Sequence, residues 1–540
     1  MENKKKHCIS IILILFLSIL YVLPIIQTNS IFYFTDQDTA FHLSRISGLS
    51  NVFSSPVNYN NFGGNGTAMN LFYPWLTLYP AYLLLRLTGN LIMAYNLYYL
   101  FLTFITMVIA YFCMFKIKKN YFTAFTFSII FSYASYRSTD IFFRGSLGEA
   151  VALAFLPLVF LGCYYIFYSD FKKWYWLTLG MTLTVYTHLL SVLLNAIFIF
   201  IIFIISVYFI NNKKERIINL IKATMWTVFL SLGVFIPMIE QTLFVELKVP
   251  KGGVLNGLLV SDYLSNTLNN NLSYFGIGFI LFILAIYTYN RRNYLSKIDI
   301  FIYFAGILTV YASTRLFPWH YIETTSLNVI QFTWRLTAYA TLFLSYAGSI
   351  SYTSNIKNNN TILKRVVLLS LLVVMIHTVS VNLLLNQDGK NIYDKGQATS
   401  VSQSYVHTDY ANKESLNHPE VVRSKNFVID GVTKRLDYST TDSVFTFKYN
   451  NENKGANIVT PLYFYKGQIV EINGKKVESS LSKYGTTQFS ANEGNIEVKI
   501  YYEYTLLARL SQFISFVVLL LFIWHLTKKD PSVYNSSATP

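Results

Sequence analysis

Two carboxylates one residue apart, Asp36 and Asp38, stand in the run Phe34-Thr35-Asp36-Gln37-Asp38-Thr39-Ala40-Phe41-His42, shortly after an apolar stretch at 8–26, and Arg45 follows one turn beyond His42. Carboxylates this close to a bilayer are costly to dehydrate, so they mark chemistry, ion binding or a wet vestibule. One chemistry open to them is general-base catalysis, the removal of a proton from an attacking hydroxyl. Another is ligation of a divalent cation, Mg or Mn, that neutralises a phosphate leaving group. The plain alternative is a helix cap, because a carboxylate at the start of a helix through Phe41–Ile46 accepts orphan backbone N–H groups.

Charged groups farther along the chain complement this pair. Arg144 and Glu149 lie in Arg144-Gly145-Ser146-Leu147-Gly148-Glu149-Ala150. A guanidinium fork suits phosphate oxygens better than an ammonium does, while Glu149 near a helix start also satisfies the helix dipole. His188 sits in Tyr186-Thr187-His188, and Arg335 in Gln331-Phe332-Thr333-Trp334-Arg335, where an apolar run begins. Snorkelling to the interface is the structural alternative for Arg335. The trace below places these groups on one side of a membrane, together with Arg137, Asp140 and Glu240. His42, Arg45, Arg144, Glu149, His188 and Arg335 are thus candidate substrate and phosphate contacts around Asp36 and Asp38.

The elements that must position them are membrane helices. Of 540 residues, 53% are hydrophobic and only 13% charged, against roughly 25% charged in a soluble domain. Apolar runs near 8–26, 91–115, 121–135, 148–168, 174–188, 190–210, 219–239, 274–290, 298–313, 331–350, 364–386 and 504–526 predict a mainly α, polytopic membrane protein of about twelve spans. The net charge of +16 comes from 43 Lys plus Arg against 27 Asp plus Glu. Its basic clusters, such as Lys4-Lys5-Lys6, Lys213-Lys214 and Lys528-Lys529, flank apolar runs and mark cytoplasmic ends. The charge is a topology signal, and nucleic acid is excluded as a partner. Both termini are expected in the cytoplasm, with the first run a retained signal-anchor. Cys8, Cys113 and Cys163 offer no ligand spacing and read as packing residues.

Two segments interrupt the trace. The first outer loop, 27–90, is long, and its stretch Leu71–Leu87, with Pro74, Pro80 and Arg86, reads as an interfacial or re-entrant helix. Residues 387–503 are polar with alternating runs, such as Ser443-Val444-Phe445-Thr446-Phe447-Lys448-Tyr449, and turn signals at Asn473-Gly474 and Asn492-Glu493-Gly494. They predict an extracytoplasmic β-sandwich-like domain. The organisation expected is a multispanning domain at 1–386, the β-rich domain at 387–503, a final span at 504–526 and a cytoplasmic tail at 527–540.

Read in order, Asp36-x-Asp38, Phe41-His42-Leu43-x-Arg45, Arg144-Gly145-Ser146-Leu147-Gly148-Glu149-Ala150 with Phe155-Leu156-Pro157-Leu158, and Gln331-Phe332-Thr333-Trp334-Arg335 resemble the bacterial YfhO-like, or 6-pyruvoyl-tetrahydropterin synthase-related, membrane proteins. Pro461-Leu462-Tyr463-Phe464-Tyr465-Lys466-Gly467 and Asn473-Gly474 extend the resemblance into the late domain. Thr333 stands where relatives often carry Pro. That group is similar in architecture to GT-C glycosyltransferases. The resemblance implies a cell-membrane transferase with Asp36 or Asp38 as the acidic position, His42, Arg144, Glu149 and Arg335 around the donor site, and a polyprenyl-phosphate sugar as donor. The acceptor expected is a cell-surface glycopolymer, such as teichoic acid or another polysaccharide. A flippase or transporter for lipid-linked sugars, and a non-catalytic scaffold of polymer assembly, are the alternatives.

Overall fold

The computed structural model describes residues 2–250, 252–356 and 358–529. The chain forms two compact units, each built from three interleaved segments. The first comprises Met1–Ile46, Thr77–Asn211 and Lys251–Val401, and the second Ser47–Leu76, Asn212–Pro250 and Ser402–Pro540.

The first unit is helical. Its central element, Leu147–Tyr168, is apolar on all sides, with 94% of its most hydrophobic window buried inside the protein. A helix hydrophobic all round belongs in a core or a bilayer. It packs against Leu91–Lys118 and Tyr175–Val185. The second contact is close because a Cβ at Gly162 would come within 2.4 Å of the Leu177 backbone, and one at Gly180 within 2.7 Å of the Val159 nitrogen. Small residues that let helix backbones approach are the usual means of packing apolar helices in lipid. Asn90 caps Leu91–Lys118 by accepting from the Ile92 and Met93 N–H groups, and Asn120 caps Tyr121–Ser132 through Thr123. Two short strands, Ile31–Phe34 and Lys390–Tyr393, pair antiparallel and tie the chain just before Asp36 to the residues after the Asn359–Leu385 helix.

Across the described residues, six helices are long and apolar enough to cross a membrane: Lys4–Ile26, Leu91–Lys118, Leu147–Tyr168, Leu189–Val207, Asn359–Leu385 and Leu506–Lys528. A seventh crossing arises if Lys213–Leu230 and Leu232–Phe244, bent by 66° at their junction, form one span. The other five expected spans fall on shorter helices, from 11 residues in Tyr175–Val185 to 17 in Lys297–Ser313 and Thr337–Thr353. Twelve residues of helix rise ~18 Å, short of a hydrocarbon layer ~30 Å thick. The Leu71–Leu87 stretch is likewise broken, into Met69–Phe72 and Tyr79–Thr88, with Pro74 between them and Pro80 in the first turn of the second.

The second unit holds a sandwich of two five-stranded antiparallel sheets. One runs Ser479–Leu481, Thr486–Ala491, Ala456–Tyr463, Phe427–Ile429, Val432–Lys434 in spatial order. The other runs Tyr438–Thr440, Val444–Asn451, Gly494–Tyr502, Gln468–Ile472, Lys475–Val477. Alternate side chains turn inward, so Phe427 and Ile458 from one sheet share a core with Phe445, Phe447, Val470, Val498 and Ile500 from the other. The Asn473-Gly474 turn closes the last hairpin of the second sheet with both residues at positive φ (47° and 80°), the geometry that two-residue hairpins favour. The stretch through Asn492 and Glu493 is no hairpin; it carries the chain from one sheet to the other. Val57, Tyr59, Leu71, Val245 and Leu247 pack into the same core, which joins the early and middle segments to the sandwich.

Candidate functional site

The site grows from the turn between Ser135–Ser138 and the central helix Leu147–Tyr168. Thr139–Phe143 forms one wide π turn, with the Arg144 N–H donating to the Thr139 carbonyl at 2.9 Å and the Ser146 N–H to the Asp140 carbonyl at 2.9 Å. Such turns insert a residue into a helix and frequently occur at functional sites. Here the turn directs Asp140 inward and delivers Arg144 beside it. Gly145 then takes φ +60°, and a Cβ there would lie 2.2 Å from Thr39 Oγ1. That absence of a side chain lets the 38–39 backbone dock, and the Asp38 N–H donates to the Arg144 carbonyl at 2.9 Å. The Asp38 carbonyl in turn accepts the His42 N–H at 3.0 Å and opens the helix Thr39–Ser47.

Arg144 is the hub. Its Nη1 donates to Asp140 Oδ1 at 2.6 Å and to Glu149 Oε2 at 2.9 Å, and its Nη2 lies 3.8 Å from Asp38 Oδ2. Arg335 Nε approaches Glu149 Oε2 at 3.5 Å, while Arg335 Nη1 donates to the Ile330 carbonyl at 2.8 Å and to Gln331 Oε1 at 2.9 Å. The Tyr136 hydroxyl donates a short hydrogen bond to Glu149 Oε1. Trp334 roofs the cluster: it stacks on Phe275 with ring centres 3.9 Å apart, the Arg144 guanidinium lies 4.4 Å above it, and that of Arg335 lies 5.2 Å away. Cations over an indole face are attracted by its quadrupole.

The three carboxylates sit in different surroundings. Asp140 is fully enclosed, and burial, reinforced by the charge on Glu149, holds its carboxyl well above the usual range despite Arg144. Its Oδ2 makes no hydrogen bond among the described residues. Glu149, 6% exposed, is committed to Tyr136, Arg144 and Arg335. Asp38 is 46% exposed and stands at the mouth of the cluster. Asp36 is exposed on the preceding turn at φ +62°. The structure thus brings Asp38, Arg144, Glu149 and Arg335 together and leaves Asp36 on the surface of the turn.

Arg45, 1% exposed, lies in the last turn of Thr39–Ser47 over the Phe41 ring at 5.8 Å, where a cation suits the helix dipole. His188 stands at the N-terminal cap of Leu189–Val207, bonds Ser191 through Nδ1 at 2.8 Å, and lies within electrostatic reach of Glu149, Arg335, Arg144 and Arg45. His42 is buried beside Phe41 on the helix that Asp38 opens. Arg137 donates to the Ser132 carbonyl and Thr103 Oγ1, both at 3.1 Å, and covers Tyr21. Glu240 belongs to the other unit, where it pairs with Lys466 at 3.1 Å and accepts from Thr505 at 2.6 Å.

Tyr136, Phe275, Thr39 and Gly145 escaped the sequence reading as functional residues. Glycine between two polar residues at a helix start was the one local sign of the docking contact. Among the described residues, no group of three or more His, Cys, Asp and Glu side chains converges as a metal site. The donor set does not suit Mg or Mn either, because Arg144 fills the position among Asp38, Asp140 and Glu149 that a cation would take. Comparison of the chain with protein-family profiles, with curated proteins and with solved structures returns no match.

Proposed function

We propose that this protein is a GT-C-type glycosyltransferase of the cell membrane that moves a sugar from a polyprenyl-phosphate donor to an extracytoplasmic glycopolymer, a teichoic acid or another polysaccharide. The observation that carries the reading is one half-exposed carboxylate, Asp38, beside the buried guanidinium of Arg144, which shares Glu149 with a second buried guanidinium, Arg335. Asp38 stays half-exposed at the mouth of the cluster, and Arg144 Nη2, 3.8 Å from it, offers a cation to an incoming anion such as the donor phosphate.

In the reaction, Asp38 takes the proton of the acceptor hydroxyl as its oxygen attacks the anomeric carbon. The bond from that carbon to the phosphate oxygen breaks with inversion, and the lipid phosphate leaves with the bonding electrons. Arg335 and Arg144, with Arg45 and His188 behind them, stabilise the charge on the leaving phosphate. One base suffices, since a stabilised phosphate departs without a proton. Asp38 is chosen over the other carboxylates because a base must be reachable by its substrate and held by the site: Glu149 is fully engaged, Asp140 is sealed, and Asp36 makes no ion pair among the described residues.

The shorter helices would complete an architecture of about twelve crossings, with both termini cytoplasmic and the sheet sandwich outside, the arrangement the basic clusters favour. Reconstitution in liposomes with a labelled polyprenyl-phosphate sugar tests the reading. Label recovered on the glycopolymer supports it. Label carried across the bilayer without transfer identifies a translocase, and neither outcome with a competent acceptor leaves a scaffold; both overturn it.

A further inference from the structure

The second unit contains an open cleft of about 450 Å³ lined by Ser54, Ser55, Ser443, Tyr501, Glu503 and Arg509, with Tyr502 and Tyr504 completing the wall. Ligand pockets span roughly 300–1,000 Å³, so the cleft has room for a small ligand. We infer that it is a second binding site, one that holds a neutral glycosyl headgroup of a membrane glycolipid.

The wall is rigid. Tyr501 Oη donates to Glu471 at 2.6 Å, Tyr504 Oη to the Val52 carbonyl at 3.0 Å, and Gln241 Nε2 donates to Tyr502 Oη at 3.2 Å. Arg509 Nη1 donates to the Phe53 carbonyl at 3.1 Å, and its guanidinium lies 4.7 Å over the Tyr504 ring. Tyr501 and Val444 are cross-strand partners, which fixes the cleft at the end of the second sheet.

Two lining groups are uncommitted: the Glu503 carboxylate and the Ser443 hydroxyl make no hydrogen bond or ion pair within the described residues. Glu503 decides the ligand chemistry. A carboxylate accepts from sugar hydroxyls but repels a phosphate, and Arg509, the one cation among the lining residues, turns one N–H of each Nη toward the Phe53 and Ser54 carbonyls. The Tyr501, Tyr502 and Tyr504 side chains line the cleft beside these polar groups.

The surroundings decide the anchor. The cleft reaches the first turn of Leu506–Lys529, an apolar helix long enough to cross a membrane. Leu506, Leu507, Leu510 and Phe513 are exposed there, and Phe53 projects from the segment that carries Ser54 and Ser55. A headgroup in the cleft therefore has an apolar surface beside it for its acyl chains. The inference is independent of the transferase reading, for it uses none of that site's residues.

The test is lipid retention by the full-length protein in nanodiscs, with diglucosyl-diacylglycerol, phosphatidylglycerol and free maltose as probes. Wild type is expected to retain the glycolipid at least tenfold over both others. Glu503→Ala should remove most of that preference, and Ser443→Trp, which fills the cleft, should abolish it. An unchanged thermal midpoint for either variant confirms folding. Equal retention of phosphatidylglycerol, equal binding of maltose, or wild-type selectivity in both variants overturns the inference.

Discussion

Arg144, Glu149 and Arg335 illustrate why buried charges occur as sets. Two guanidiniums in an apolar helical unit are tolerable because Glu149 accepts from Tyr136 and Arg144 and sits 3.5 Å from Arg335. Removing one partner of a buried pair costs about 3–5 kcal/mol, since the remaining charge is left uncompensated. Glu149→Gln is therefore expected to lower the thermal unfolding midpoint by several degrees, and a midpoint within one degree of wild type would refute this role. Tyr136→Phe removes only one hydrogen bond, but one to a charged carboxylate, and should cost about 1.5–3 kcal/mol. The residues themselves were legible in the sequence, because charges beside apolar runs are rare. Their convergence was not, because Asp38, Arg144 and Arg335 lie far apart in the chain and nothing local records which loops meet.

At the scale of elements, the contact of the 38–39 backbone with Gly145 sets the position of Asp38. Gly145→Ala adds a Cβ that would meet Thr39 Oγ1 at 2.2 Å, on a residue already at φ +60°. We expect it to reduce sugar transfer at least tenfold while the protein still reaches the membrane. Thr39→Ala removes the obstructing hydroxyl and should recover part of the loss, measured as a double-mutant cycle. Strictly additive effects would show that the contact does not position the base. Helix boundaries were harder to read than the sheets. An apolar run has one composition whether it crosses a bilayer or breaks midway, as at Ser231 between Lys213–Leu230 and Leu232–Phe244. Strands carry a period of two and turns with defined chemistry, so Val444–Asn451 and the Asn473-Gly474 hairpin were visible in advance.

At the scale of the whole molecule, the interleaving of segments could not be foreseen. Residues 47–76 look like part of one long loop, yet they pack into the sandwich core through Val57, Tyr59 and Leu71. Lys425 tests that packing. Its Nζ is buried with no hydrogen-bond partner among the described residues, close to Gly64 of the early segment, and burial depresses its ammonium to about 7. The unfolded chain, where lysine titrates near 10.4, then binds more protons than the folded one between pH 7 and about 10. Stability contributed at this position must rise with pH across that window and is lowest below pH 7. Lys425→Met should raise the unfolding midpoint most at pH 6 and progressively less toward pH 10. A gain independent of pH, or a loss at pH 6, would contradict the buried placement.

The most direct test of the central claim compares wild type, Asp36→Asn and Asp38→Asn in proteoliposomes supplied with labelled polyprenyl-phosphate sugar and the glycopolymer acceptor. A general base contributes about 10²–10⁴-fold. Asp38→Asn is therefore expected to lose at least a hundredfold in transfer rate, while Asp36→Asn stays within a few-fold of wild type. Wild-type transfer by Asp38→Asn, or its loss in Asp36→Asn alone, would contradict the assignment of Asp38 as the base.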